Sequence, residues 1–191
     1  MIAHLNGKLV ETNPTYCIIE CNGVGYFVKI SLNTFSTLGK SENVMLFTEF
    51  VVREDAQILF GFSNKEEREM FNHLVSVSGI GPNTAILMLS AMVPDEIAAA
   101  IVSEDVAVIK SIKGIGLKTA QRVIVDLKDK MSKIEFSENN MFAQGNTNKN
   151  EALTALVSLG FDKKSSEKAI GKIAEADDSV EDLIKKALKV L

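Results

Sequence analysis

The sequence of 191 residues has no tryptophan, only two cysteines and only two histidines, and no segment reaches the roughly 18 uninterrupted apolar residues of a membrane span. The spacing of Cys17 and Cys21 could suit a metal, but neither a second cysteine pair nor a histidine cluster completes a site. The N-terminus also lacks the basic region and long apolar stretch of a signal peptide. We therefore expect a soluble, cytoplasmic protein with reduced thiols and with no metal, cofactor or membrane partner.

An excess of basic charge is also missing, because 21 lysines and arginines stand against 25 aspartates and glutamates, for a net charge of −4. The overall charge therefore gives no reason to expect a nucleic-acid partner, and any basic patch must be local. With 46% apolar and 24% charged residues, the chain has enough apolar side chains for more than one small core.

Residues 1–62 have the pattern of short β-strands. Two β-rich runs, Tyr16–Glu20 and Tyr26–Ile30, are joined through Asn22-Gly23, a pair that tolerates the positive φ angles of a tight hairpin. A second strand pair is predicted at Asn43–Val52 and Gln57–Phe62, with its tip at Arg53–Ala56. A further pair is predicted at the N-terminus, in "MIAHLNGKLVE". About five or six short strands in this length indicate a small, OB-like barrel.

Residues 63–133 have a helical pattern instead. Ser63 precedes an apolar-periodic run and has Glu66 three residues later, which predicts a capping box at the start of a helix. Pro94 fits the first turn of a later helix. The other helical runs are Thr84–Met92, Pro94–Val102, Val106–Ile112 and Leu117–Met131.

Periodicity is lost over residues 134–148, where Asn, Ser, Gly and Gln are frequent, and we expect a flexible linker there. Residues 149–191 contain three short amphipathic stretches, which predict a small three-helix bundle. The chain is thus predicted to be a multi-domain α+β protein, with an OB-like β-barrel at 1–62, an all-α domain at 63–133, this linker and a C-terminal bundle.

One segment of the helical domain, "SVSGIGPNTAILMLSAM" at 76–92, is repeated as "SIKGIGLKTAQRVIVDL" at 111–127. Each copy predicts a helix, a tight Gly-x-Gly turn and a second helix, so the domain contains tandem helix-hairpin-helix motifs. Glycine allows positive φ and close approach, while the amides of the turn and of the next helix start can donate to a phosphate oxygen. Two such hairpins indicate binding to a DNA duplex across its minor groove. We expect Ile80 and Ile115 to pack in the core and anchor the turns.

Basic residues surround the second copy. Between Lys110 and Lys133, seven basic residues stand against Asp126 and Asp129, a local balance of +5. Lys118 and Arg122 are four residues apart and share a helix face, where they can add ionic contacts to the DNA backbone. The predicted DNA contacts are Gly79, Ile80, Gly81, Asn83, Lys113, Gly114, Ile115, Gly116, Lys118, Thr119 and Arg122.

The order of these segments resembles the RuvA family, the bacterial Holliday-junction-binding subunits of the branch-migration complex, over essentially the whole chain. The specific motifs are "GFSNKEERE" and "GIGLKTAQRVIVDLKDK", and "LVSLGF" in the C-terminal unit completes the order. The resemblance implies a non-catalytic subunit that binds four-way DNA junctions in recombination and repair. It also implies a homotetramer or octamer, a RuvB-type hexameric ATPase as the motor and a RuvC-type resolvase as a further partner.

The resemblance assigns roles at two other places. Glu54 and Asp55 at the barrel hairpin tip match the acidic pin of the family, whose carboxylates repel phosphates, keep the junction open and guide strand separation. In the third unit, the apolar positions associated with motor binding are Leu156, Leu159, Phe161 and Leu188. Those four side chains could equally be the core of so small a bundle.

One position departs from the family pattern. The first hairpin has Asn83 after Pro82, where many family members carry a lysine. Asparagine can hydrogen-bond a phosphate but brings no charge. The first hairpin is therefore expected to hold DNA more weakly, which leaves more of the electrostatic work to Lys118 and Arg122.

Other functions are compatible with parts of the sequence. "LGKS" at 38–41 ends like a nucleotide-binding loop, but Thr34 stands where that loop needs a glycine, so ATP hydrolysis is expected on a partner. A helix-hairpin-helix glycosylase or lyase would use Lys118 as nucleophile, but it needs an aromatic-rich, base-sized pocket that is not evident. A generic DNA-binding adaptor and a single-strand binder on the barrel are the remaining alternatives.

Overall fold

The computed structural model describes residues 1–39, 41–138, 144–174 and 178–191, and describes their side chains except in the segment 133–147. The described chain divides into two compact units, Met1–Ser132 and Lys133–Leu191. The first unit contains both the barrel and the hairpins.

The barrel is closed by five strands in the order β1-β2-β3-β5-β4. They are β1 (His4–Asn13), β2 (Tyr16–Cys21), β3 (Val24–Ile30), β4 (Asn43–Val52) and β5 (Gln57–Phe62). Strands β3 and β5 pair in parallel, and the other neighbours pair antiparallel. The predicted barrel and both of its central hairpins are thus confirmed, with Asn22 at φ 50° and Gly23 at φ 84° in the first turn.

The N-terminal strand pair predicted in "MIAHLNGKLVE" is wrong, because this segment is one continuous strand, β1. Gly7 lies inside β1 opposite Val44, and a Cβ there would collide with the carbonyl oxygen of Glu20. The glycine is needed for close backbone approach inside the sheet rather than for a reversal of the chain. The register of β1 against β2 shifts between Leu9 and Glu11, which lets the long strand bend around the barrel.

A helix that the strand interpretation of residues 1–62 missed, α1 (Leu32–Leu38), connects β3 to β4. The hydroxyl of Ser31 caps it by accepting from the amide of Thr34 at 3.0 Å. Between its two terminal leucines the residues are poor helix formers, so local propensity did not indicate it. Burial of Thr34 and Leu38 against the rest of the unit stabilises it instead.

Helices follow the barrel in the first unit: α2 (Lys65–Val75), α3 (Pro82–Ala91), α4 (Pro94–Val102), α5 (Val106–Ser111) and α6 (Leu117–Glu138), which continues beyond Ser132 into the second unit. The predicted cap of α2 was off by one residue. Asn64 is the N-cap and accepts from the amide of Glu67 at 2.7 Å, whereas the amide of Ser63 donates to Thr34 Oγ1. The helix therefore starts one position later than the Ser63–Glu66 spacing indicates.

Barrel and helices share apolar contacts. Phe60 and Phe62 of β5 pack on Phe71 of α2, with ring centroids 5.2 and 5.0 Å apart. These three rings belong to the same buried cluster as Ile80 and Ile115. A second cluster fills the barrel and includes Cys17, whose thiol has its pKa raised by burial to about 11. The segments predicted as separate domains at 1–62 and 63–133 therefore form one packed body.

Part of the predicted linker at 134–148 is helical. Helix α6 continues to Glu138 and the next helix starts at Gln144, while the centre of the linker lies outside the described residues. Extending a helix that is already nucleated costs little, so a polar composition at its end does not stop it.

Beyond the end of α6, the described part of the second unit contains three helices, α7 (Gln144–Ser158), α8 (Lys163–Ile173) and α9 (Val180–Ala187), as predicted. Its core consists of Ala152, Leu156, Ala169, Ile170, Leu183 and Ala187. Among the described residues, no single helix has the length and hydropathy of a membrane span. The pair α3 and α4 reaches them together, but its two helices are bent by 97° at their break.

Candidate nucleic-acid interface

The two hairpins have the same hydrogen bonds at matching positions. The amide of Ile80 donates to Val77 at 3.0 Å, and the amide of Ile115 donates to Ile112 at 3.1 Å. In each copy the alanine amide of the following helix donates to the second glycine of the turn at 2.9 Å. Ile80 and Ile115 are 4% and 5% exposed, so they anchor their turns in the core as predicted.

The first glycine of each turn is required by the backbone, since Gly79 has φ 98° and Gly114 has φ 91°. The second glycines have no such requirement: Gly81 has φ −89°, and a Cβ at Gly81 or Gly116 would meet nothing within 4 Å. No described side chain occupies the space in front of these two positions. A bare backbone facing open space is what close approach of an external phosphate needs.

The structure brings the two hairpins together. Arg122 on α6 donates from Nη1 to the carbonyl oxygen of Ser78, just before the first turn, at 3.3 Å. Thr119 is half-buried, with its methyl 3.9 Å from where a Cβ of Gly79 would lie. Both residues were predicted as DNA contacts, and the geometry shows that they also join the second hairpin to the first.

The basic segment is less positive than its composition indicates. Lys128 forms an ion pair with Glu104, which the local balance over residues 110–133 did not include. Hydrogen bonding and charge from Lys128 lower the pKa of the Glu104 carboxyl. Lys113 and Lys118 are exposed and lie at or just after the turn, so they are the cations best placed for a ligand at the second hairpin.

The first hairpin has a neighbour that sequence reasoning missed. Asn83 accepts a hydrogen bond at Oδ1 from Lys29 Nζ of strand β3, at 3.4 Å. The two residues are far apart in sequence, so only the docking of α3 against the barrel reveals the contact. They line a cavity of about 410 Å³ with Tyr16 and Phe27, whose rings stack at 4.6 Å. Lys118 is not among the residues that line this cavity.

The barrel hairpin tip is open and acidic. Glu54 and Asp55 are exposed, and the amide of Arg53 donates to the carbonyl of Ala56 at 2.8 Å to close the tip. Among the described ion pairs, neither carboxylate has a cationic partner. Their negative charge is therefore available to act on whatever approaches the tip.

The four apolar residues proposed for a motor contact separate into two groups. Leu156 is completely buried in the core of the second unit, so its assignment to a contact surface is wrong: a side chain enclosed by its own bundle cannot touch a partner. Leu159, Phe161 and Leu188 are 62%, 37% and 44% exposed. Gly160, at φ 97°, turns the chain between the first two after α7.

No group of three or more His, Cys, Asp or Glu side chains that could hold a metal occurs among the described residues. A closed small barrel packed against paired Gly-x-Gly hairpins whose second glycines face open space defines a tandem helix-hairpin-helix protein. Residues 71–129 match the family model of a SAM-like helix-hairpin-helix tandem.

Comparison with known proteins identifies the family. Residues 1–61 match the RuvA N-terminal domain and residues 147–191 the RuvA C-terminal domain. Proteins named Holliday junction branch migration complex subunit RuvA from Christiangramia forsetii and Flavobacterium psychrophilum are each 53% identical over 193 residues, with both chains covered completely. A relative of the same name from Porphyromonas gingivalis is 47% identical over 204 residues, again with complete coverage. The chain belongs to the RuvA family.

Proposed function

We propose that this chain is a non-catalytic, structure-specific DNA-binding subunit that recognises four-way junctions and works with a RuvB-type ATPase motor in branch migration. The observation that carries the proposal is the pair of matching hairpins, each with an open glycine at the start of a helix and close enough to be bridged by Arg122. The names of the relatives supply the junction and the branch-migration complex.

The proposed mode of binding reads the DNA backbone. Turn amides and the N-terminal ends of α3 and α6 donate to phosphates, and the helix dipoles favour the negative charge. Lys113 and Lys118 add ionic contacts at the second hairpin. Because phosphates look alike at every base pair, this arrangement recognises the geometry of the duplex arms rather than their sequence.

Junction specificity requires several copies of the chain. One pair of hairpins suits one duplex segment, whereas a four-way junction has four arms that meet at one point. We therefore propose a fourfold-symmetric homotetramer, with an octamer of two such rings as the alternative and a RuvC-type resolvase as a further partner. Symmetric closure places one hairpin pair on each arm.

Two further roles belong to this proposal. The exposed carboxylates of Glu54 and Asp55 act as an acidic pin that repels phosphates at the crossover. The exposed side chains of Leu159, Phe161 and Leu188 form the surface that the motor binds. The lyase alternative loses support, because Lys118 is exposed and does not line the aromatic cavity beside the first hairpin.

A competition gel shift tests the proposed function. Labelled four-way junction is bound at near-physiological salt and challenged with excess linear duplex of equal length and charge. We expect the junction complex to survive, and we expect Lys118→Ala combined with Arg122→Ala to weaken binding to both DNAs and to reduce its salt dependence. If duplex competes as well as unlabelled junction, recognition of the four-way shape is refuted.

A further inference from the structure

The two hairpins match in backbone but not in charge. The second has Lys118 and Arg122 in the first turns of its helix, and the repeat places Asn83 and Leu87 at the corresponding positions of the first. Residues 76–92 contain no lysine or arginine at all. A phosphate held by the first hairpin would therefore meet backbone amides and a neutral amide, but no cation from its own motif.

The barrel places a cation at this position. Lys29 lies on β3 between the buried residues Val28 and Ile30, so its side chain is directed to the outside of the barrel. Its Nζ is 3.4 Å from Oδ1 of Asn83, the second residue of α3. Among the described residues, no carboxylate forms an ion pair with Lys29, so its charge is not compensated.

The position of Lys29 relative to the hairpin is fixed by other contacts between barrel and α3. The amide of Leu32 donates to Ser90 Oγ at 3.0 Å, and the side-chain amide of Asn33 donates to the carbonyls of Leu89 and Met92 at 2.6 and 3.1 Å. These bonds hold the C-terminal end of α3 on the segment that directly follows β3. The helix is therefore held beside the end of β3 by contacts that do not depend on the Lys29–Asn83 bond.

We propose that Lys29 is the DNA-contacting cation of the first hairpin and takes the part that Lys118 plays in the second. An ammonium has three donors, so the bond to Asn83 leaves two for a phosphate oxygen at the N-terminal end of α3. Asn83 orients the ammonium through Oδ1 and keeps its own NH₂ group for the same ligand. The inference rests on the proposed function, and it makes the barrel part of the duplex-binding surface.

Salt-dependent binding to linear duplex and to four-way junction tests the proposal with the full-length chain. The variants are Lys29→Ala, Lys29→Arg and Lys29→Ala combined with Asn83→Lys, which returns the charge to the hairpin itself. Lys8→Ala is the matched control, because Lys8 is an exposed barrel lysine that pairs with Glu42 at 3.7 Å. Thermal unfolding of each variant shows whether the fold is retained.

We expect Lys29→Ala to weaken binding to both DNAs and to reduce the slope of log affinity against log salt by about 0.9 for each phosphate that the ammonium of Lys29 neutralises. Lys29→Arg and the combined variant should recover most of the slope, and Lys8→Ala should leave it unchanged. An unaltered slope for Lys29→Ala overturns the proposal, and so does a weakening that Asn83→Lys cannot restore. If the wild-type protein shows no preference for the junction over duplex, the proposed function fails. The salt slopes measured on duplex still decide the role of Lys29.

Discussion

Single residues decide what each hairpin can offer a ligand. Gly79 and Gly114 serve the backbone, whereas Gly81 and Gly116 face open space. Arg122 has part of its guanidinium engaged by the carbonyl of Ser78, so it helps to position the first hairpin in addition to the phosphate contact proposed for it. Removing Arg122 is therefore expected to disturb geometry as well as charge, and Lys118 is the cleaner probe of phosphate binding.

The acidic tip gives a prediction at the same scale. Glu54→Gln combined with Asp55→Asn removes two exposed negative charges from a turn that is closed by backbone bonding. Repulsion between the tip and phosphates is removed, so junction binding should be preserved or become tighter, while the rate of motor-driven branch migration changes. Gel shifts and a branch-migration assay with a RuvB-type ATPase measure the two effects.

A charge-matched control is available near the start of β4, at the opposite end of that strand from the tip. Glu20→Gln combined with Glu42→Gln removes two exposed carboxylates that lie away from the tip. This variant should support motor-driven branch migration at the same rate as the wild-type protein. A strong decrease of junction affinity on neutralising Glu54 and Asp55 would contradict a repulsive role for the tip.

At the scale of elements, a buried carboxylate ties α1 to α2. Glu67 is 1% exposed and accepts hydrogen bonds from the hydroxyls of Ser31 and Thr34, the latter at 2.6 Å. Thr34 Oγ1 also accepts from the amide of Ser63 at 3.0 Å. The start of α1, the end of β5 and the first turn of α2 thus meet in one polar network inside the first unit.

We expect Glu67→Ala to lower the free energy of unfolding of the first unit by about 2–4 kcal/mol, because it leaves buried hydroxyls without their acceptor. The neighbouring Glu66 is exposed, and Glu66→Ala should change that free energy by less than about 0.5 kcal/mol. Urea unfolding followed by tyrosine fluorescence is specific for this unit, since Tyr16 and Tyr26 are both in the barrel. Equal effects of the two substitutions would show that the network contributes little.

At the scale of the whole molecule, the features proposed for DNA binding lie in the first unit, apart from the C-terminal unit. The first unit has the hairpins, the acidic tip and a core shared by barrel and helices. The second has a small core and exposed apolar side chains at Leu159, Phe161 and Leu188. These three side chains are proposed for the motor contact because a contiguous exposed apolar patch marks a protein-binding surface.

Substitutions in the second unit distinguish surface from core. Leu159→Ser should weaken binding of the full-length chain to a RuvB-type ATPase by about tenfold or more without lowering thermal stability, as expected for an exposed anchor. Val190→Ser removes another exposed apolar side chain and should leave motor binding unchanged. Leu156→Ala should instead destabilise the unit by about 2–5 kcal/mol, because it opens a cavity in the core. Calorimetric titration measures motor binding, and thermal unfolding measures the stability of each variant.

Local pattern was enough wherever one short segment determines its own structure. The Asn22-Gly23 turn, the start of α4 at Pro94 and the two Gly-x-Gly hairpins follow from backbone preferences that act over a few residues. The internal repeat pointed to phosphate binding because two copies in register are hard to explain by helix capping alone. The order of the segments was enough to indicate the family.

Contacts between distant segments were decided by tertiary structure alone. Gly7 is required because β2 lies against it, and α1, in which most residues are poor helix formers, is stabilised by the burial of Thr34 and Leu38. Leu156 and Leu159 look alike in sequence, but only packing puts one in the core and the other in solvent. Lys29 reaches Asn83 across the barrel–helix contact, and no local pattern carries information about a partner that far away in the chain.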